Sequence, residues 1–380
     1  MTNLNSKDVI LQTTKVPFID LKQRYEEERG EILACIENVL SKGHLILTEE
    51  VNEFEQQASE YINVKHVIGL NSGTDALMMA LWAYGIGRGD EVITTPVSFV
   101  ATSGSIMHVG AKPVYVDVCD DQNIDPNKIE QAITPKTKAI MPVHWGGRIA
   151  DMDSILQIAE RHNLLVIEDA AQAMGAYYRG RHGGSFGDAS AYSAHPLKNL
   201  NALGDAGFMS TNNDEVNRKV RLYRSHGLES RDNCVLYGVN SRLDSLNAEV
   251  LKYRLQKLKQ IVDRRRHNVE LYRSFIKPGP IYIPEEKSYE HNSYVMFITQ
   301  ADRRDELKDY LLAHGIESLV YYGTPLHLHK AAQSLGVMKG SLPVAEAQCE
   351  KVLALPHHQN LTDDQIQYVS EKVNAFYGSK

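Results

Sequence analysis

Cysteine is scarce in this chain. Only Cys35, Cys119, Cys234 and Cys349 occur in 380 residues, far apart. None forms a CxxC pair or stands beside a histidine at ligand spacing. No disulfide framework and no metal site are expected, and free thiols point to a reducing compartment. Long apolar runs are missing too. Nothing approaches the roughly 18 apolar residues of a membrane span, and the opening MTNLNSKDVILQTTK lacks a signal peptide's apolar core. A cytoplasmic protein with no membrane partner is expected. Basic charge is not in excess: 41 Lys and Arg face 48 Asp and Glu, a formal net charge of −7. That argues against a nucleic-acid partner. Repeats and low-complexity tracts are also absent.

What is present is ordinary globular composition, 43% hydrophobic and 23% charged, in a chain too long for one small core. Residues 1–15 are polar and read as an arm. From there to about 250, apolar runs alternate with helical patterns: HVIGL before TDALMMALWAYG, EVITT before VATSGSIMHVG, PVYVDV before DPNKIEQAI, KAIMPVHW before DMDSILQIAERH, and then LLVIEDA. Buried strands alternating with helices predict an α/β fold with a mostly parallel sheet covered on both faces. After 245 the pattern changes. One long charged helix, or two joined, leads into IYIP, SYVMFIT, RRDELKDYLLAHG and TDDQIQYVSEKVNAFYG, a smaller α+β unit. The expected organisation is an arm (1–15), a large domain (16–250) and a smaller C-terminal domain (251–380).

Ligands of open parallel sheets sit beyond the carboxyl ends of the strands. After HVIGL come Ser72, Gly73 and Thr74 at a helix start. Exposed N–H groups with a hydroxyl form an anion site, although a plain helix cap would look the same. After EVITT comes Phe99, a ring that could cover a flat ligand or belong to the core. After LLVIE comes Asp169, either a helix cap or a carboxylate held for a cation, since burying it bare is costly. After ASAYS comes Lys198, alone in a loop punctuated by Pro196 and Gly204, with Ser193 at the strand end. Most lysines simply face water. Pyridoxal phosphate, however, wants this whole set: N–H groups and hydroxyls for its phosphate, an aromatic cover, a carboxylate for its pyridine nitrogen and a lysine for a Schiff base.

NSGTDAL, DEVITTPVSFVAT, AKPVYVDV, VIEDAAQ, SAHPLKNLNALGDAGFMST and GVNSRLDSLNAEVL, in this order, resemble the DegT-type sugar aminotransferases. These are fold type I pyridoxal-phosphate enzymes acting on nucleotide-linked keto sugars. The resemblance runs from PFIDLKQRYEEERGEI to LALPHHQNLTDDQI. It implies that Lys198 is the Schiff-base lysine and proton shuttle, with its pKa lowered, and that Asp169 pairs with the pyridine nitrogen. It further implies Gln172 at the ring hydroxyl, Phe99 stacked on the ring, and Gly73, Thr74 and Ser193 at the phosphate. Asn240 is implied to reach the phosphate of a partner chain, hence a homodimer with shared sites. His226, Arg242, Tyr321 and His327 are implied at the substrate. The implied reaction is ping-pong transfer from L-glutamate to C3 or C4 of a keto sugar, through the pyridoxamine form.

The chain departs from the commoner pattern at Gly204-Asp205-Ala206-Gly207, at GHLILTEEV, and at Trp145 and Arg148. These positions bear on substrate identity. A pyridoxamine-dependent dehydratase of the same family carries histidine in place of the lysine, and Lys198 is retained here. A non-catalytic regulator with this fold would be expected to lose Lys198 or Asp169, and both are present. An aminocyclitol substrate would use the same site.

Overall fold

A computed structural model describes residues 15–378; most of the expected N-terminal arm lies outside them. Two helices come first, α1 (Leu21–Lys42) and α2 (Glu49–Ile62). The alternating region then runs β1 (His66–Leu70), α3 (Gly73–Ala83), β2 (Glu91–Thr94), α4 (Val100–His108), β3 (Lys112–Tyr115), β4 (Thr137–Met141), α5 (Met152–His162) and β5 (Leu165–Asp169). A hairpin, β6 (Tyr177–Tyr178) and β7 (Arg181–His182), precedes β8 (Ala189–Ser193), β9 (Gly207–Thr211) and α6 (Asp214–Tyr223). A second, exposed hairpin is β10 (Leu228–Ser230) and β11 (Asn233–Cys234). Helix α7 (Ser245–Phe275) leads to β12 (Ile281–Tyr282), β13 (Glu290–His291), β14 (Phe297–Ala301), α8 (Arg304–Ala313), α9 (Pro343–Lys351), β15 (Val352–Leu355) and α10 (Asp363–Gly378).

The seven-stranded sheet has the order β1-β9-β8-β5-β4-β2-β3. Only β9 runs against its neighbours; the pairs β8/β5, β5/β4, β4/β2 and β2/β3 are parallel. Side chains alternate along β8. Ala189 and Ala191 pack with α3 residues such as Leu77 and Leu81, while Tyr192 packs on Phe208, Phe54 and the start of α7. The sheet is thus covered on both faces, as the uninterrupted apolar strands require.

One local reading changes, and one open alternative is decided. DPNKIEQAI is not an α-helix but two short 3-10 turns, Pro126–Lys128 and Glu130–Ala132. Pro135 disfavours helical backbone at Thr134, which leaves too few residues for a stable helix. The charged segment after 245 is one unbroken helix of 31 residues. Its first half (Ala248, Leu251, Leu255, Leu258, Val262) belongs to the large-sheet core, and its second half (Val269, Tyr272) to the core around β14 and β15. The change of core therefore falls inside α7. Val16 also joins the second core, through a parallel bridge to Ile316.

Candidate active site

The carboxyl ends of β1, β5 and β8 lie side by side, because β9 between β1 and β8 runs the other way and presents its amino end, Gly207, there. Ser72 caps α3 by accepting from the Asp75 N–H at 3.1 Å. That leaves the first-turn N–H groups of Gly73 and Thr74 without intrahelical acceptors. The turn touches its neighbours closely. A Cβ on Gly73 would stand 3.0 Å from Ser193 Cβ, and one on Gly207 would stand 2.3 Å from the Ser72 carbonyl carbon and 2.4 Å from Gly73 N. Backbone contacts this tight bring the helix start, Ser193 and the end of β5 to one place. Gly207→Ala is expected to push this turn off Ser193, at about 1–3 kcal/mol, and to weaken phosphate-dependent cofactor binding at least about tenfold. Gly204→Ala, with nothing within 4 Å of its new Cβ, should leave cofactor titration and melting temperature unchanged.

At the end of β5, Glu168 and Asp169 point to opposite sides. Glu168 is fully buried and accepts from His144 Nε2 (2.8 Å), the N–H groups of Gly184, Phe186 and Gly187, and Ser190 Oγ. It anchors the strand. Asp169 is buried with no cation in hydrogen-bond reach. Its Oδ2 accepts from Thr102 Oγ1 at 2.7 Å, and Oδ1 from the Ala171 N–H at 3.3 Å. Ser98 Oγ lies 2.6 Å from Thr102 Oγ1. Because Thr102 donates to Asp169, Ser98 is the donor in that pair. Burial pushes the Asp169 carboxyl up, opposed by these hydrogen bonds and by Lys198.

Lys198 is half-buried, and among the described residues its Nζ has no hydrogen-bond partner. Its loop is closed by Ala194 N–H to Ala206 O, Ala202 N–H to Ala194 O, and Asn201 Nδ2 to Pro196 O. From below, Arg254 of α7 donates to the carbonyls of Asn201 and Ala202 while paired with Glu28 of α1. Burial pulls the Lys198 amine down to about 8, although the Asp169 carboxylate holds it up. Gln172 accepts from the Gly146 N–H through Oε1 at 2.7 Å. That orients its amide and leaves Nε2, a donor, without a partner among the described residues. Phe99, at the start of α4, is 53% exposed. Its ring lies 6.1 Å from that of Tyr322, which in turn lies 5.7 Å from Trp145.

The structure thus brings Gly73, Thr74, Ser193, Asp169, Gln172, Lys198 and Phe99 to the strand ends. The remaining expected residues divide. Asn240 and His226 are exposed and share one strip, bridged at Ser225 and Asn240, with Arg242 half-buried beside it. Ser241 ties that strip to Asn71 after β1. Tyr321 is half-buried between Phe18 and Tyr322. His327, expected to face substrate, is instead 2% exposed, with Nε2 3.1 Å from Glu346 Oε1. Its ring packs near that of Tyr115, with centroids 6.2 Å apart, and is not an open contact. Sequence reasoning did not single out Thr102, Ser98 as its donor, or Gly146. Their only signal was their place in the segments that follow β2 and β4, Thr102 in the first turn of α4.

The set suits pyridoxal phosphate on its own geometry. A buried carboxylate without a cation wants a protonated ring nitrogen. An amine near pKa 8 without a partner can form a Schiff base, and a tight helix start offers free N–H groups to a phosphate. These features, on this sheet, define a fold type I pyridoxal-phosphate enzyme. Residues 26–374 match the DegT/DnrJ/EryC1/StrS aminotransferase family, and the chain belongs to it. It is 42% identical to a pleiotropic regulatory protein of Geobacillus stearothermophilus, over 95% of this chain and 98% of that one. It is 40% identical to the dTDP-3-amino-3,4,6-trideoxy-alpha-D-glucose transaminase of Streptomyces venezuelae, over 96% and 97%. The solved structure of S. venezuelae DesV with a ketimine intermediate superposes with a TM-score of 0.93 at 39% identity, covering 96% of this chain and 99% of that one.

Proposed function

We propose that the chain is a ping-pong transaminase that moves the amino group of L-glutamate, which leaves as 2-oxoglutarate, to the keto carbon of a nucleotide-linked sugar. The observation that carries this reading is the half-buried, unpartnered Lys198 amine beside the buried Asp169 carboxylate. A 3-amino sugar in the name of the Streptomyces relative supports C3, of the two carbons C3 and C4, as the position aminated. Pyridoxal phosphate, when bound, supplies a carbonyl that carries the amino group and a ring that takes up electrons.

The residues divide the work. The N–H groups of Gly73 and Thr74, with the hydroxyls of Thr74 and Ser193, hold the phosphate. Phe99 covers one face of the ring, and Gln172 Nε2 donates to the ring oxygen. Asp169, backed by Thr102 and Ser98, keeps the ring nitrogen protonated. Lys198 Nζ takes the proton from Cα of glutamate and, in the second half-reaction, delivers one to the sugar carbon that becomes C–NH2. A neutral amine is needed for the first transfer, and a pKa near 8 supplies about a tenth of it neutral at pH 7. Arg242 and His226 offer positive charge to a carboxylate or a diphosphate, and Tyr321 approaches from the smaller C-terminal domain, which covers the site.

The active form is read as a homodimer. Asn240 is exposed, and Leu228, Val235, Tyr237 (97% exposed) and Val239 surround it with apolar side chains open to solvent. A second copy would cover them. Four free cysteines suit a reducing cytoplasm, and no described helix is long and apolar enough to cross a membrane.

The experiment is an absorption spectrum of protein loaded with pyridoxal phosphate, before and after L-glutamate. The expected result is a visible band that glutamate replaces by a near-ultraviolet one, with one 2-oxoglutarate released per site. A nucleotide-linked 3-keto sugar then restores the visible band. A band absent from the loaded protein, or indifferent to every amino acid tried, overturns the reading.

A further inference from the structure

Ser293 lies far from every motif at the strand ends, in the connection between β13 and β14 that carries the chain into the smaller sheet. It is fully buried. Three segments of the site converge on it, each through a different group. Its carbonyl oxygen accepts from Asn199 Nδ2 at 2.9 Å, next to Lys198. Its N–H donates to Gly147 O at 2.9 Å. Its Oγ donates to Gln172 O at 3.3 Å. Gly146 in turn donates to the Gln172 side chain, which closes a ring of contacts through the Trp145–Gly147 turn. The fit leaves no slack. Gly147 has φ +90°, and a Cβ there would stand 2.5 Å from Ser293 Oγ and 2.9 Å from Tyr294 N. On the opposite side, Arg265 of α7 donates to the carbonyls of Tyr294 and Val295, and Arg266 to that of Asn292. The connection is held from both sides.

We propose that Ser293 is a positioning residue that fixes the Lys198 loop and the Gln172 turn relative to one another, so that the entry to the smaller domain sets the spacing of the two groups that flank the cofactor ring. The inference rests on the cofactor reading of Lys198 and Gln172. Its physical reason is that beyond the pairing of β5 with β8 and a shared apolar core (Ala170, Ala173 and Met174 with Ala194, Leu200 and Ala202), no hydrogen bond among the described residues joins the two segments directly, and apolar packing is non-directional. The Lys198 loop is tied to its own strand ends and to α7, and the Gln172 turn to β5 and Gly146. Asn199 is 2% exposed and, among the described residues, has no partner for Oδ1, so the one anchor of its amide there is Ser293.

The test uses the full chain without cofactor, by hydrogen exchange, together with the pH dependence of Lys198 acylation by an amine reagent. Ser293→Ala removes only the bond to Gln172 and keeps both backbone bonds. It is expected to raise exchange about threefold in 171–175 and also in 195–203, which its hydroxyl does not touch. Asn199→Leu, close in size and neutral, should loosen both segments in the same way. It should also move the Lys198 amine upward by about one unit, because a loosened loop lets water reach it. Exchange that rises only in the segment whose own bond was cut, in either variant, overturns the proposal. So does an unchanged Lys198 titration in a loosened Asn199→Leu. If Asn199→Leu does not fold, Ser293→Ala alone decides between coupled and separate segments. Failure of the transaminase reading shows separately, as loaded wild-type protein without a visible band.

Discussion

Lys198→Ala is expected to lower transamination by more than about a thousandfold while the chain still folds and still takes up cofactor through its phosphate and ring contacts. The loss follows from one atom. Nζ is the only amine among the residues gathered at the strand ends, and it has no hydrogen-bond partner among the described residues to leave. Lys198→Arg is the informative companion. It keeps the positive charge beside Asp169 but is never neutral near pH 7, so it should be as inactive as alanine. An arginine variant retaining a tenth of the activity would show that charge, and not a titrating base, is what the site uses. Rates of 2-oxoglutarate release from L-glutamate, with cofactor content measured in the same samples, make the comparison.

Asp169→Asn should cost about a hundred- to a thousandfold in rate and weaken cofactor retention. It also makes a prediction that needs no cofactor. The carboxylate holds the Lys198 proton on, against burial that takes it off. Removing the charge therefore lowers the Lys198 pKa below its value of about 8 in the cofactor-free chain, as measured by acylation against pH. Thr102→Val acts more mildly and with a different sign. Its hydroxyl bonds the charged form of Asp169, so losing it raises the carboxyl's pKa further. Asp169 works when ionised. The acidic side of the rate profile, where activity falls as pH falls through that pKa, should move to higher pH in Thr102→Val while the maximum changes little. An unmoved acidic side would show that the hydroxyl supports the strand end and does not tune the carboxylate.

Asp169 and Lys198 were legible because each breaks a local rule. A carboxylate closes an apolar strand, and a lone lysine sits between buried strands. The glycines at 73 and 207 stood out as turn residues, but why they must be glycine becomes visible only as contacts, since Ser72 and Gly207 are far apart in the chain and under 3 Å apart once a Cβ is imagined. Thr102 was invisible for the opposite reason. A threonine in the first turn of a helix is unremarkable until the end of β5 is beside it. His327 was placed at the substrate by the resemblance alone, whereas its burial against Glu346 depends on how α9 packs.

The sequence by itself determined the alternation of strands and helices, the covered parallel sheet, the chemistry of the lysine and carboxylate, and the family resemblance. These are carried by residue type and short-range spacing, through hydrophobic period and turn chemistry. Only the tertiary structure decided the rest. The place of β9 between β1 and β8, the course of α7 through both cores, the hydroxyl chain behind Asp169 and the convergence on Ser293 all join residues tens to more than a hundred positions apart. Such pairings are selected by which buried surfaces and unsatisfied polar groups fit together in three dimensions, and a local stretch of sequence has no partner against which to show them.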